Sequence, residues 1–225
     1  MVLDLSNNYS KVSIQLSGGL DSSLLLYMLV KDNPDLMIYP LVMDVETGLS
    51  IAWSSAEKVL DFVLSALPNQ IQAAKVTRIN QDPWAGQHLS RANMLSVLEC
   101  HVVYGTEANY HGVTLNPTRD QMQPDMPDAV WEDRDHRRDP LPYGLRYDEI
   151  DLSLGIKWHS PLRNLTKRAV HDLYEELGLL DTLAPLTESC HSRFAVTQND
   201  GKPCGKCYWC YEKSWAFSES FSCTS

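Results

Sequence analysis

The chain has 225 residues, 44% of them hydrophobic and 21% charged, and a formal net charge of −10. This is the composition of an ordinary globular protein with one good core, and its charge argues against holding nucleic acid through an overall field. No apolar run approaches a membrane span and no basic leader precedes one, so the expectation is a soluble, cytoplasmic protein with a small-molecule partner, no membrane and no stable nucleic-acid binding.

In chain order, residues 12–16 (VSIQL) read as a buried strand and Asp21 to Lys31 as a helix with a Leu-rich face. Ser17-Gly18-Gly19 breaks the pattern between them, a turn that exposes backbone N–H groups at a helix start and so offers an anion site. Residues 37–43 (MIYPLVM) form a second strand, which Pro40 places near an edge or a bulge. Ser54 and Glu57 make a capping-box pattern, and Ala56, Val59, Leu60, Val63 and Leu67 follow at helical spacing until Pro68. A third strand covers 75–79 (KVTRI). Leu89 to Tyr104 reads as a helix with Leu95, Leu98 and Val102 on one face, and Gly105 turns the chain into a short strand near 111–115 (HGVTL).

This rhythm predicts an α/β fold with a mostly parallel sheet and helices on both faces. Ligands on such sheets bind outside the carboxyl ends of the strands, where Ser17, Asp44 and Asn116 fall. From Asn116 to Gly144 the apolar period is lost among Pro117, Pro124, Pro127, Pro140 and Pro142 and a mix of Asp and Arg. That segment is either a solvated surface or a flap that closes over an anionic substrate. Regular structure returns at 154–159 (LGIKWH), and Thr166 opens a helix with Val170, Leu173 and Leu177 inward, closed by Gly178. The predicted division is residues 1–181, with a proline-rich insertion at 116–144, and a metal-binding segment over 182–225.

Four of the 6 cysteines, Cys190, Cys204, Cys207 and Cys210, cluster around "PCGKCYWC". Without a secretion signal, such clustering favours a metal over disulfides. Four thiolates suit a closed, tetrahedral zinc site, with an iron–sulfur cluster as the rival. Cys100 reads as a core residue and Cys223 as part of a frayed end.

The glycine turn fits neither the P-loop, which needs a following Lys, nor the dinucleotide fingerprint, which needs a third glycine. Ser17-Gly18-Gly19-Leu20-Asp21-Ser22 after a strand resembles instead the PP-loop of the N-type ATP pyrophosphatases, whose fold is of the adenine nucleotide alpha hydrolase type. In that reading Gly18 and Gly19 let the backbone approach phosphate, and Ser17 and Ser22 add neutral donors. Asp21 would repel phosphate, so it holds Mg²⁺ or orients the loop. The alternative is a plain Gly-Gly turn with Asp21 capping the helix.

Ser189-Cys190, "CGKCYWC", Ala216-Phe217, "SPLRNLTKRAV" with Lys167, and Arg91 at the opening of the third helix resemble the 7-cyano-7-deazaguanine synthase family. The resemblance implies a ligase that converts 7-carboxy-7-deazaguanine to its nitrile with ammonia and ATP, with Mg²⁺ and Zn²⁺ as cofactors and a homodimer as the assembly. It implies that Leu16, Ser17, Gly18, Gly19, Leu20, Asp21, Ser22, Ser23, Leu24, Leu25 and Leu26 bind the phosphates. Val42, Met43 and Asp44 would meet the adenine, and Asn116 and Arg119 the deazapurine. Asp21, Arg91 and Lys167 would be catalytic, the last two neutralising phosphate charge, and Cys190, Cys204, Cys207 and Cys210 would bind zinc. After the second strand the family shows an aromatic-Gly-Gln-Arg-His run where this chain has "DVETGLS". Two other readings stay open: a PP-loop enzyme with a different substrate, such as a tRNA sulfurtransferase or another amidating enzyme, and a non-catalytic ATP-binding relative.

Overall fold

The computed structural model describes residues 5–45, 51–67, 71–79, 86–115, 117, 119–122, 155–190 and 203–217. Among them, five strands form one sheet in the order β3-β2-β1-β4-β5: β1 (Lys11–Gln15), β2 (Met37–Val45), β3 (Lys75–Ile79), β4 (Ala108–His111) and β5 (Lys157–His159). Every pairing is parallel. The chain steps from β1 outward to β3, then crosses back to the other side of β1 for β4 and β5. Strand order therefore reverses between β1 and β4, the point at which such sheets open a crevice at their carboxyl ends.

Helices cover both faces. On one face lie α1 (Leu20–Asp32), α2 (Ile51–Ala66) and α5 (Lys167–Glu176); α3 (Gly86–Tyr104) lies on the other. A helical turn, α4 (Arg119–Met122), a 3-10 turn over Ala184–Leu186 and a C-terminal helix, α6 (Tyr208–Phe217), complete the described chain. The two-residue period of β2 shows the division: Ile38 and Val42 enter the main core with α1 and α2, while Tyr39 and Leu41 meet Val97 and Cys100 of α3. α1 is buried almost all round because α2 and α5 both pack against it. No helix among the described residues is long and apolar enough to cross a membrane.

Four expectations need correction. β2 is an interior strand despite Pro40. Odd-numbered residues of β2 turn their amides toward β1, as Met37 N–H to the Ser10 carbonyl shows, and even-numbered ones toward β3. On that side an isolated bridge, Ile38↔Ile71, precedes the β3 ladder, which begins at Leu41↔Lys75, so the donor Pro40 lacks would fall in the gap between them. α2 already runs at Ile51, so Ser54 is inside it and no capping box forms; Trp53 extends the apolar stripe and packing carries the helix past the local signal. β4 ends at His111, where its ladder partner β1 also ends, and does not cover 111–115.

α3 begins at Gly86, and of the expected stripe only Leu98 packs against the buried side. Leu95 and Val102 are 56% and 78% exposed, whereas Val97 and Cys100 are fully buried. The Thr77 and Ser96 hydroxyls 3.0 Å apart and the Lys75–Glu99 ion pair set the rotation of the helix on β3. Gly105 (φ +71) makes the expected turn after it, and Gly178 (φ +68) closes α5, which Thr166 caps by accepting from the Ala169 N–H.

Candidate nucleotide and metal site

β1 continues its ladder one step through the Leu16 N–H to the Leu41 carbonyl, then turns at the carboxyl edge of the sheet, beside the switch point. Gly18 has φ +73, and a Cβ there would lie 2.7 Å from Ser55 Cβ and 2.8 Å from Ala56 N of α2. Its glycine is required by backbone conformation and by the packing of α2. Gly19 is the extended N-cap of α1, with no side-chain cap on the first turn. The turn is instead braced by its own hydroxyls. The Ser17 and Ser22 oxygens lie 3.0 Å apart, Ser22 Oγ accepts the Ser17 N–H, and Ser23 Oγ donates to the Gly19 carbonyl at 2.7 Å. The positive end of the α1 dipole and two serine hydroxyls thus face the sheet edge, a setting suited to an anion.

Distant elements hold this turn in place. Lys167, at the start of α5, sets its ammonium 2.6 Å from both Asp21 oxygens, and the Thr114 hydroxyl donates to Asp21 Oδ2 at 3.2 Å. One helical face further on, Tyr174 donates to the Leu20 carbonyl at 2.9 Å. Glu212 of α6, almost wholly buried, stands 3.7 Å from the Lys167 ammonium. Gly112 passes so close that a Cβ would lie 2.6 Å from the Ser22 nitrogen. Asp21 therefore faces a lysine and a threonine. The Lys167 charge is directed at Asp21.

The four cysteine sulfurs of Cys190, Cys204, Cys207 and Cys210 all lie within 4.8 Å of one another. Cys190 and Cys207 are separated by 4.0 Å, Cys204 and Cys210 by 3.9 Å. A tetrahedron with metal–sulfur bonds of about 2.3 Å has sulfur–sulfur edges of about 3.8 Å, so the four residues fit a single ion. A polynuclear cluster places iron and sulfide between its thiolates and needs a wider ring. Backbone amides of Cys204 and Lys206 donate to the Cys190 and Cys204 sulfurs, and Gly205 (φ +66) makes the tight turn between them. Hydrogen bonding with Cys190 and Cys207, then burial, pushes the Cys210 thiol far above its ordinary range, a cost that a coordinated cation reverses.

This knuckle abuts the glycine turn. The Glu188 N–H donates to the Gly18 carbonyl at 2.8 Å, the Cys190 N–H donates to Glu188 Oε1, and Lys213 donates to the Thr187 carbonyl at 2.9 Å. Burial raises the Glu188 carboxyl and lowers the Lys213 ammonium from their ordinary ranges. α6 is seated on α5 by Phe217, edge-on to Tyr174 and His171, and by the Arg168 guanidinium 4.4 Å over the Trp215 ring.

Of the expected site residues, Ser17 to Ser23, Lys167 and the four cysteines are brought into one region. Leu16, Leu20, Leu24, Leu25, Leu26 and Val42 turn their side chains into the core, which leaves only their backbone for a ligand. Asp44 lies near the end of β2, Arg91 in the second turn of α3 and not at its opening, and Arg119 in α4; their side chains, and all of Asn116, are outside the described residues. Most of the proline-rich segment is also outside them, but α4 is seated on α6, with Met122 against Tyr208 and Trp215. Thr114, Tyr174, Glu188, Glu212 and Lys213 were not anticipated. The one local signal was a Glu-Lys pair inside the otherwise aromatic "YWCYEKSWAF".

No family model and no curated protein matches the chain. Among solved structures it is similar to the U34-tRNA thiolase NcsA from Methanococcus maripaludis with its 4Fe–4S cluster, at 16% identity and a TM-score of 0.49, over 95% of this chain and 71% of that one. It is also similar to an NH3-dependent NAD synthetase from Campylobacter jejuni in complex with the nitrate ion, at 15% identity and a TM-score of 0.47, over 96% of this chain and 88% of that one.

Proposed function

We propose that the chain is a PP-loop enzyme that binds Mg·ATP at the turn of Ser17 to Ser23 and activates a carboxylate there, and that its substrate is 7-carboxy-7-deazaguanine. The observation that carries the reading is the uncapped start of α1, lined by Ser17 and Ser22, at the carboxyl edge of the central strand and beside the switch point. The choice of substrate rests on the sequence resemblance.

In this reading a carboxylate oxygen attacks the α-phosphorus, the bond to the β-phosphate oxygen breaks, and pyrophosphate leaves. Ammonia then adds to the acyl carbon, adenylate leaves with the carboxylate oxygen, and a proton is lost to give the amide. Activation of the amide oxygen by a second ATP, followed by loss of adenylate and protons, gives the nitrile. The chain's contribution is positioning and charge stabilisation: the first-turn amides of α1 and the hydroxyls of Ser17 and Ser22 hold the departing pyrophosphate. The four cysteines would hold zinc as a closed structural site with no open position for chemistry.

The test is incubation with Mg·ATP, ammonia and 7-carboxy-7-deazaguanine, with products read by mass and pyrophosphate release measured alongside. The expected result is the nitrile, with one pyrophosphate for each activation, and a loss of about 100-fold in Ser22→Ala. Pyrophosphate release with other carboxylates and not with this one would overturn the substrate. Absence of ATP binding would overturn the site.

A further inference from the structure

We propose that Glu212 is a positioning residue through which the cysteine knuckle sets the geometry of the glycine turn, an inference that rests on reading that turn as a nucleotide site. α6 rises directly from the knuckle: Cys207 precedes it, Cys210 lies in its first turn, and Glu212 follows two residues later. The Glu212 carboxylate, 1% exposed, lies 3.7 Å from the Lys167 ammonium, which lies 2.6 Å from both oxygens of Asp21 in the first turn of α1. A continuous path therefore runs from the metal ligands through one helix and two charge contacts to the start of α1.

Packing alone does not account for Glu212. Asp21 and Lys167 already balance each other, and a second buried carboxylate adds a desolvation cost that an apolar residue would avoid. What it adds is direction. The ammonium of a lysine sits on a flexible four-carbon stem and can follow a single partner; a second carboxylate fixed to α6 refers its position to the knuckle. The next residue works on the other end of the same turn. Lys213 holds the Thr187 carbonyl, and the adjacent Glu188 N–H holds the Gly18 carbonyl. Adjacent residues of one helix thus anchor Gly18 and Asp21, which flank the N-cap.

The test uses the full chain with its metal bound and the isosteric variant Glu212→Gln. Metal content should be unchanged, while hydrogen exchange across Ser17 to Leu26 accelerates about 10-fold and the Kd for Mg·ATP rises about 10-fold. Glu212→Asp, which keeps the charge with a shorter reach, should fall between the two and serves in place of the first variant if that one does not fold. Wild-type exchange in this turn in either folded variant would overturn the proposal. So would metal loss in Glu212→Gln, which would make Glu212 a support of the knuckle itself. If the unaltered chain does not bind ATP, the nucleotide reading fails while the exchange measurement still decides the role of Glu212.

Discussion

Tyr174 gives its hydroxyl proton to the Leu20 carbonyl from a fully buried position. Burial and then the Asp21 charge hold its phenol well above the ordinary tyrosine range. In the unfolded chain the same phenol ionises near pH 10. Above that pH the folded state keeps a proton that the unfolded state has lost, so this residue's contribution falls as pH rises. Tyr174→Phe should lose about 1 kcal/mol near neutral pH for the missing hydrogen bond and show a shallower decline in stability between about pH 9 and 11. Urea unfolding at a series of pH values measures both, and an identical alkaline slope in the two proteins would place the titration elsewhere. At this scale the glycine turn was readable because its residues are consecutive and its chemistry local. The reason for Gly18 was not, since the atoms that forbid a Cβ belong to α2.

α3 shows what periodicity can and cannot say about an element. Leu95, Leu98 and Val102 do lie at helical spacing, but so do Val97 and Cys100, and the sequence holds no term for which stripe meets the sheet. The choice is made by partners on β3, where Thr77 faces Ser96 and Lys75 pairs with Glu99. Val97→Ala should therefore cost about 2 kcal/mol by leaving a cavity beside Leu41 and Cys100, while Leu95→Ser and Val102→Ser should each stay within about 0.5 kcal/mol. Thermal unfolding of the three variants would reverse this reading if Leu95→Ser proved the costly one. β2 fails in the same instructive way: Pro40 argues for an edge only when every neighbour offers a ladder, and here the β3 ladder has not begun. By contrast, the cap at Thr166 and the stop at Gly178 were legible, because each depends on residues within one turn of helix.

Over the whole molecule, the parallel sheet followed from the alternation of apolar runs, whereas the contacts that complete the site join segments far apart in sequence. The lysine partner of Asp21 is 146 residues away and the tyrosine partner of Leu20 is 154 residues away. No spacing rule reaches that far. The same arrangement ties global stability to the four cysteines. Removing a bound metal with a chelator should lower the melting temperature by about 10 °C, equivalent to about 3 kcal/mol, and return of zinc should restore it; an unchanged melt would mean that the knuckle holds without an ion. The long reach also fixes an order of events. Chains are synthesised from the N-terminus, so Ser17 to Ser23 emerge from the ribosome well before Lys167, Tyr174, Glu188 and Glu212 exist to grip them. Contacts this distant form late because loop closure precedes their gain. The turn is thus made well before the residues that complete it.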